Sequence, residues 1–204
     1  MRLTKLVLPV LATCLTLSLP SPSAANTIVD TGTPSGAALW GFAPWQYFAG
    51  EFTVADAFVL QTIEGYFDNY SSAFPGTVDI AIHDDGGDIP GAILFVATTP
   101  VVGAFAPLDW YGVSGLNWGL SAGTYWASFK PSSGLINGTM PGFAPHPLSN
   151  YANSLVELNH EWQGDDTAGI GLRINYQPVP DSTSTLSLFV GVALLGFVAQ
   201  RLWT

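Results

Sequence analysis

Glycine and proline cut the middle of this chain into short pieces. The sequence of 204 residues holds 22 Gly and 15 Pro, and between Asn26 and Gln177 one or the other recurs about every five residues. Interruptions that frequent leave little room for long helices. Helical periodicity nowhere persists beyond about three turns; Ser149 to Trp162 comes nearest. Period-2 alternation is common instead. Val78, Ile80 and Ile82 alternate with Asp79, Ala81 and His83. Tyr125, Ala127 and Phe129 alternate with Trp126 and Ser128. Ile170, Leu172, Ile174 and Tyr176 alternate with Gly171, Arg173 and Asn175. Such stretches read as half-buried antiparallel strands, because successive side chains of a strand point to opposite faces. Asp84-Asp85-Gly86-Gly87-Asp88 and Ser121-Ala122-Gly123 supply the hairpin turns. The expectation is an all-β domain, an antiparallel β-sandwich of jelly-roll type, with roughly eight to ten strands.

Charge narrows the functional classes. Asp and Glu number 15 against 5 Lys and Arg, for a formal net charge of −10. Between Asn26 and Gln177 there are 14 acidic residues and two basic ones, Lys130 and Arg173, a net of −12. That excludes nucleic acid as a partner, since phosphates require a basic face. A chain with 48% hydrophobic and 10% charged residues is not a disordered polyelectrolyte. One cysteine, Cys14, excludes a disulfide framework and a cysteine zinc site.

The two ends do not belong to the domain. Residues 1–25 have the form of a secretory signal peptide. Arg2 and Lys5 make the basic start, Leu6 to Leu19 the apolar run, and Ser23-Ala24-Ala25 the small residues before a cut at Asn26. Leu11-Ala12-Thr13-Cys14 loosely resembles a lipobox, which keeps lipidation of Cys14 as an alternative. At the other end, Pro178 to Thr185 is a rigid, polar, extended linker. Residues 186–199 then form an uncharged apolar run with no polar face, followed by Arg201. This reads as a short transmembrane helix with Arg201 on the cytoplasmic side. The domain spans residues 26–177 and the C-terminal appendage residues 178–204.

Val179-Pro180-Asp181-Ser182, a Ser/Thr linker, an apolar helix and Arg201 together resemble the PEP-CTERM sorting signals of bacterial surface proteins, most closely the VPDSG-type branch. The resemblance implies recognition by an exosortase in the inner membrane. It also implies transfer of the processed protein to the cell surface or its polysaccharide matrix. Thr183 stands where that branch has Gly, and the basic cluster is reduced to Arg201. Gly65-Tyr66-Phe67, Ile80-Ala81-Ile82, Asp85 to Gly91 and Leu120 to Trp126 are similar to the β-rich ectodomains found before such signals.

Three groups of residues are candidate sites. Asp84, Asp85 and Asp88 place three carboxylates on one loop, a pattern suited to Ca²⁺, which takes six to eight oxygen ligands; the plain reading is a solvated hairpin turn. His160-Glu161-Trp162-Gln163-Gly164 begins like a zinc-protease helix but has Gly164 where the second histidine belongs. Trp45, Trp110 and Tyr111 lie in loop-like surroundings and are candidates for stacking on sugar rings; the plain reading is that they anchor loops. Asn69-Tyr70-Ser71 and Asn137-Gly138-Thr139 fit the N-glycosylation pattern. There is no phosphate-binding glycine loop, and no carboxylate pair stands out for glycoside hydrolysis. The sequence therefore points to a non-enzymatic structural or interaction module, exported and exosortase-sorted. A carbohydrate-binding module for exopolysaccharide is the alternative, ahead of a secreted hydrolase.

Overall fold

A computed structural model of the chain describes residues 26–179, apart from 35–38, 71, 103–104, 135, 143–147, 156, 158, 166 and 168. The expected signal peptide at 1–25, the motif residues Pro180, Asp181 and Ser182, the expected apolar helix at 186–199 and Arg201 lie outside the described residues. Val179, the remaining motif residue, is exposed at 47%.

The described chain is all-β, with no α-helix. Its strands are β1 (Asn26–Asp30), β2 (Leu39–Phe42), β3 (Gln46–Val54), β4 (Phe58–Asn69), β5 (Gly76–Asp85), β6 (Pro90–Val101), β7 (Ala106–Leu120), β8 (Gly123–Gly134), β9 (Gly138–Pro141), β10 (Tyr151–Leu155), β11 (Trp162–Gly164) and β12 (Leu172–Pro178). They build a four-stranded sheet in the order β1-β12-β4-β7, a six-stranded sheet in the order β11-β10-β3-β8-β5-β6, and a small sheet of β2 and β9. Every pairing is antiparallel. The twelve strands exceed the expected number because β2, β9 and β11 are only three or four residues long. Pieces that short cannot display an alternating pattern. The described residues between Ser149 and Trp162 hold no α-helix; they contribute β10 and the start of β11.

The two larger sheets face one another in a β-sandwich-like arrangement. Leu60, Ile63 and Phe67 of β4 and Leu172 and Ile174 of β12 bury themselves against Phe48, Ile80, Ile82 and Phe129 of the six-stranded sheet. On β5 the alternation resolves as the pattern requires. Val78, Ile80 and Ile82 point inward, while Asp79 lies outward with Ala81 and His83. At Gly65 the sheets approach so closely that a β-carbon would sit 2.7 Å from the Phe129 ring. The small sheet closes onto the same core, with Phe42 against Phe67 at a centroid distance of 4.8 Å. Asp68 ties it down by accepting hydrogen bonds from Thr139 N (2.7 Å) and Thr139 Oγ1 (3.0 Å).

One expectation fails here. Trp110 and Tyr111 are not in a loop; they lie inside β7, opposite Tyr66 and Gly65 of β4. Pro107 and Gly112 suggest a break, but β-favouring aromatic residues and the long β4 partner carry the strand through.

Candidate functional site: a cavity on the outer face of the six-stranded sheet

Outward-facing residues of adjacent strands converge on this face. Tyr47 comes from β3, Ser128 and Lys130 from β8, Asp79, Ala81 and His83 from β5, and Ile93 and Val96 from β6. Trp162 of β11 completes the wall, and the cavity, open to solvent on one side, measures about 180 Å³. The small side chain of Ala81 leaves the floor open. Trp162 is held by a second apolar cluster on this face, made of Ala49, Trp126 and Ala152. The approach to β11 turns sharply, with Asn159 and His160 both left-handed at φ 56° and 60°. Asn and His are among the few side chains that tolerate this backbone. The turn lays His160 on Tyr47 as a stacked ring at 5.4 Å and brings Trp162 edge-on to Tyr47 at 5.3 Å.

His83 organises the floor. Its Nδ1 lies 3.1 Å from the Gly91 carbonyl oxygen and its Nε2 lies 2.9 Å from Ser128 Oγ. A carbonyl only accepts, so Nδ1 carries the proton and donates. Nε2 of the neutral ring then accepts from the Ser128 hydroxyl. Burial pushes the His83 pKa below its ordinary value, against the opposing pull of the Gly91 hydrogen bond and the Asp84 charge. The imidazole is therefore neutral at pH 7. Trp162 meets it edge-on at 5.8 Å.

The rim carries both signs of charge. Asp79 and Lys130 are register partners across β5 and β8. Asp79 Oδ1 accepts from Thr98 Oγ1 at 2.7 Å. Lys130 swings the other way and places Nζ 5.2 Å from the centre of the Tyr47 ring. One strand further out, Ser154 stands opposite both Tyr47 and Trp162; its buried Oγ has no hydrogen-bond partner among the described residues.

A serine beside a neutral histidine is also the start of a nucleophilic site. The surroundings do not complete one. Ser128 is 3% exposed, and β8 is paired on both sides, with β3 and β5. Ser128 stands in register with Ala49 on one side and Ala81 on the other. The cavity combines apolar walls with a small number of fixed polar groups.

The residues singled out from sequence fall elsewhere. Trp45 occupies the two-residue turn between β2 and β3, which is closed by the Ala43–Gln46 hydrogen bonds, and is 48% exposed. Trp110 lies on the outer face of the four-stranded sheet, beside Tyr66 at 5.2 Å and beneath the Arg173 guanidinium at 3.8 Å. Arg173 also donates to Asp30 at 3.1 Å. The Gly32 amide first, and Arg173 after it, hold the Asp30 carboxyl below its usual range. Tyr111, the next residue along β7, points inward onto Phe67, and its hydroxyl donates to the Pro107 carbonyl at 2.7 Å. Trp110 and Tyr111 thus face opposite sides of one sheet, and no ring contact among the described residues joins Trp45 to either.

The three aspartates also part company. Asp84 has a buried Oδ1 with no hydrogen-bond partner among the described residues. Asp85 Oδ1 accepts from Gly87 N and Trp126 Nε1. Asp88 is exposed in a left-handed turn at φ 63°. Among the described residues no three His, Cys, Asp or Glu side chains form a group able to hold a metal. Asn69 is buried, donating to the Phe74 carbonyl and accepting from Asn137 N, so its side chain is not presented for glycosylation.

His83, Asp79 and Ser128 are legible in sequence as the polar phase of two alternating strands. Nothing local announces that Tyr47 and Trp162 meet above them. No protein-family profile matches the chain, and no curated protein is significantly similar to it.

Proposed function

We propose that this chain is an exported, exosortase-sorted protein of the bacterial surface or extracellular matrix, and that its β-sandwich is a non-enzymatic interaction module. The single observation that carries the module reading is the cavity over β3, β8 and β5. It is a preformed pocket on a paired sheet, with aromatic walls and few polar groups. The sorting reading rests on the order of motif, apolar run and Arg201 in the sequence. It is supported by the way both ends of the domain leave together: Asn26 of β1 is the register partner of Tyr176 in β12. The sheet orders β1-β12-β4-β7 and β3-β8-β5-β6 favour a jelly roll, because successive long strands mostly change sheet, with β10 and β11 added at the β3 edge.

Two measurements test this. Replacing Pro180 and Asp181 with Ala should leave export intact but retain the C-terminal segment, read as the mass of the mature protein from its host. An unchanged mass and location would remove the sorting reading. Val96 is 56% exposed at the cavity mouth, so Val96→Arg should obstruct the cavity without unfolding the domain. Retention of a folded Val96→Arg protein in the surface fraction at the wild-type level would remove the outer-face reading.

A further inference from the structure

The geometry points to one uncharged pyranose ring as the ligand of the cavity, an inference that rests on the interaction-module reading above. Size sets the first limit. About 180 Å³ lies below the roughly 300 Å³ at which drug-sized ligand pockets begin, so the cavity takes a single ring and not an oligosaccharide. Surface chemistry sets the second. A pyranose has apolar C–H faces and a periphery of hydroxyls. Tyr47, Trp162 and Val96 offer apolar walls for the faces, while Ser128, Asp79 and Lys130 offer polar atoms for the edge.

Charge sets the third limit. Asp79 accepts only and Lys130 donates only, and they are register partners across one ladder. A sugar hydroxyl does both, so a pair of neighbouring hydroxyls satisfies both rim groups at once through charge-assisted hydrogen bonds. An anionic ligand meets the Asp79 carboxylate and the net charge of −12 on residues 26–177. A cationic ligand meets the Lys130 ammonium. A neutral ring with both donors and acceptors avoids both conflicts. On the floor, Ser128 donates its one proton to His83, so its remaining lone pairs accept a further hydroxyl proton. A flat aromatic ligand would fill the walls but leave Asp79 and Lys130 unused.

The test is calorimetric titration of the full chain, kept in a zwitterionic detergent with no sugar headgroup. The probes are methyl glycosides of glucose, galactose and mannose, methyl glucuronide, glucosamine and phenol. At least one neutral glycoside should bind in the millimolar range, with an affinity nearly independent of salt. Asp79→Asn and Trp162→Leu should each weaken it at least tenfold, while Trp45→Ala and Trp110→Ala leave it unchanged. Should Trp162→Leu fail to fold, Asp79→Asn decides the matter alone, since Asp79 is only half-buried at the rim of the cavity. Tighter binding of methyl glucuronide, glucosamine or phenol than of every neutral glycoside would overturn the proposal. So would binding that Asp79→Asn does not weaken, or no binding of any glycoside. If none binds while Val96→Arg still releases the protein from the surface fraction, the sugar class is wrong and the module reading survives.

Discussion

The Phe129 ring fills the space in which residue 65 would carry a β-carbon, 2.7 Å from that position. Gly65 belongs to the four-stranded sheet and Phe129 to the six-stranded one, so this contact sets how closely the sheets approach. Gly65→Ala should lower stability by about 1–3 kcal/mol through overpacking. Phe129→Ala should lower it by about 3–5 kcal/mol through the cavity it leaves. Denaturant midpoints check both values; an unchanged midpoint for Gly65→Ala would mean the sheets are not in contact there.

His83 makes stability depend on pH. Its folded pKa lies below the unfolded value of 6.5, so in mild acid the unfolded chain binds more protons than the folded one. The neutral ring's contribution is therefore fully present above pH 6.5. It is lost as pH falls from there through the folded pKa. Carboxylates add their own dependence lower down, so the informative quantity is the difference between wild type and His83→Gln. Melting temperatures between pH 7.5 and 5 should fall more steeply for wild type; parallel curves would count against a buried neutral His83.

Tyr151 acts at the alkaline end. Burial raises its pKa from 10 to about 12, outweighing the hydrogen bond from the Leu148 amide. Above pH 10 the unfolded chain loses this proton while the folded chain keeps it. Stability then drops as pH rises toward 12, by roughly 2–3 kcal/mol for a shift of that size. Absorbance titration of phenolate should show one tyrosine ionising late and together with unfolding. Tyr151→Phe should abolish that late step.

The Asp30–Arg173–Trp110 arrangement should be worth little. Both charged side chains are substantially exposed, and exposed pairs contribute about 0–1 kcal/mol and are screened by salt. Arg173→Ala should cost no more than about 1 kcal/mol, with part of that cost removed by high salt. A larger, salt-insensitive cost would show that the stacking on Trp110 dominates.

Calcium should have no effect on unfolding. Asp84, Asp85 and Asp88 hold separate environments, and an ion that binds only the native state must raise the melting temperature. Equal melting temperatures in EDTA and in millimolar Ca²⁺ are expected; a rise with Ca²⁺ would mean that the loop closes around the ion.

The fold is legible where strands are long and buried on one face. Val78, Ile80 and Ile82 declare β5 because the pleat repeats every two residues, and Asp84 to Asp88 mark its hairpin with β6. β2 and β9 escape notice because four residues carry too little pattern. Trp110 and Tyr111 mislead because side-chain type suggests a patch, whereas strand geometry sends neighbours to opposite faces. The cavity is illegible for a different reason. Tyr47 and Trp162 meet only because β10 pairs with β3 on one side and β11 on the other, and pairing between distant segments leaves no local periodicity.

The placement of β12 between β1 and β4 has a mechanical consequence. A tether drawn from Pro178 along the strand pulls against two hydrogen-bonded ladders at once. The bonds on both sides bear load together, in shear, and do not open one after another. An edge strand in the same position would peel. The cavity lies on the other sheet, so tension between a held ligand and the tether crosses the packed interior, where Phe129 seats against Gly65. Single-molecule pulling from residue 178 should therefore meet one high rupture force instead of a staircase of small ones.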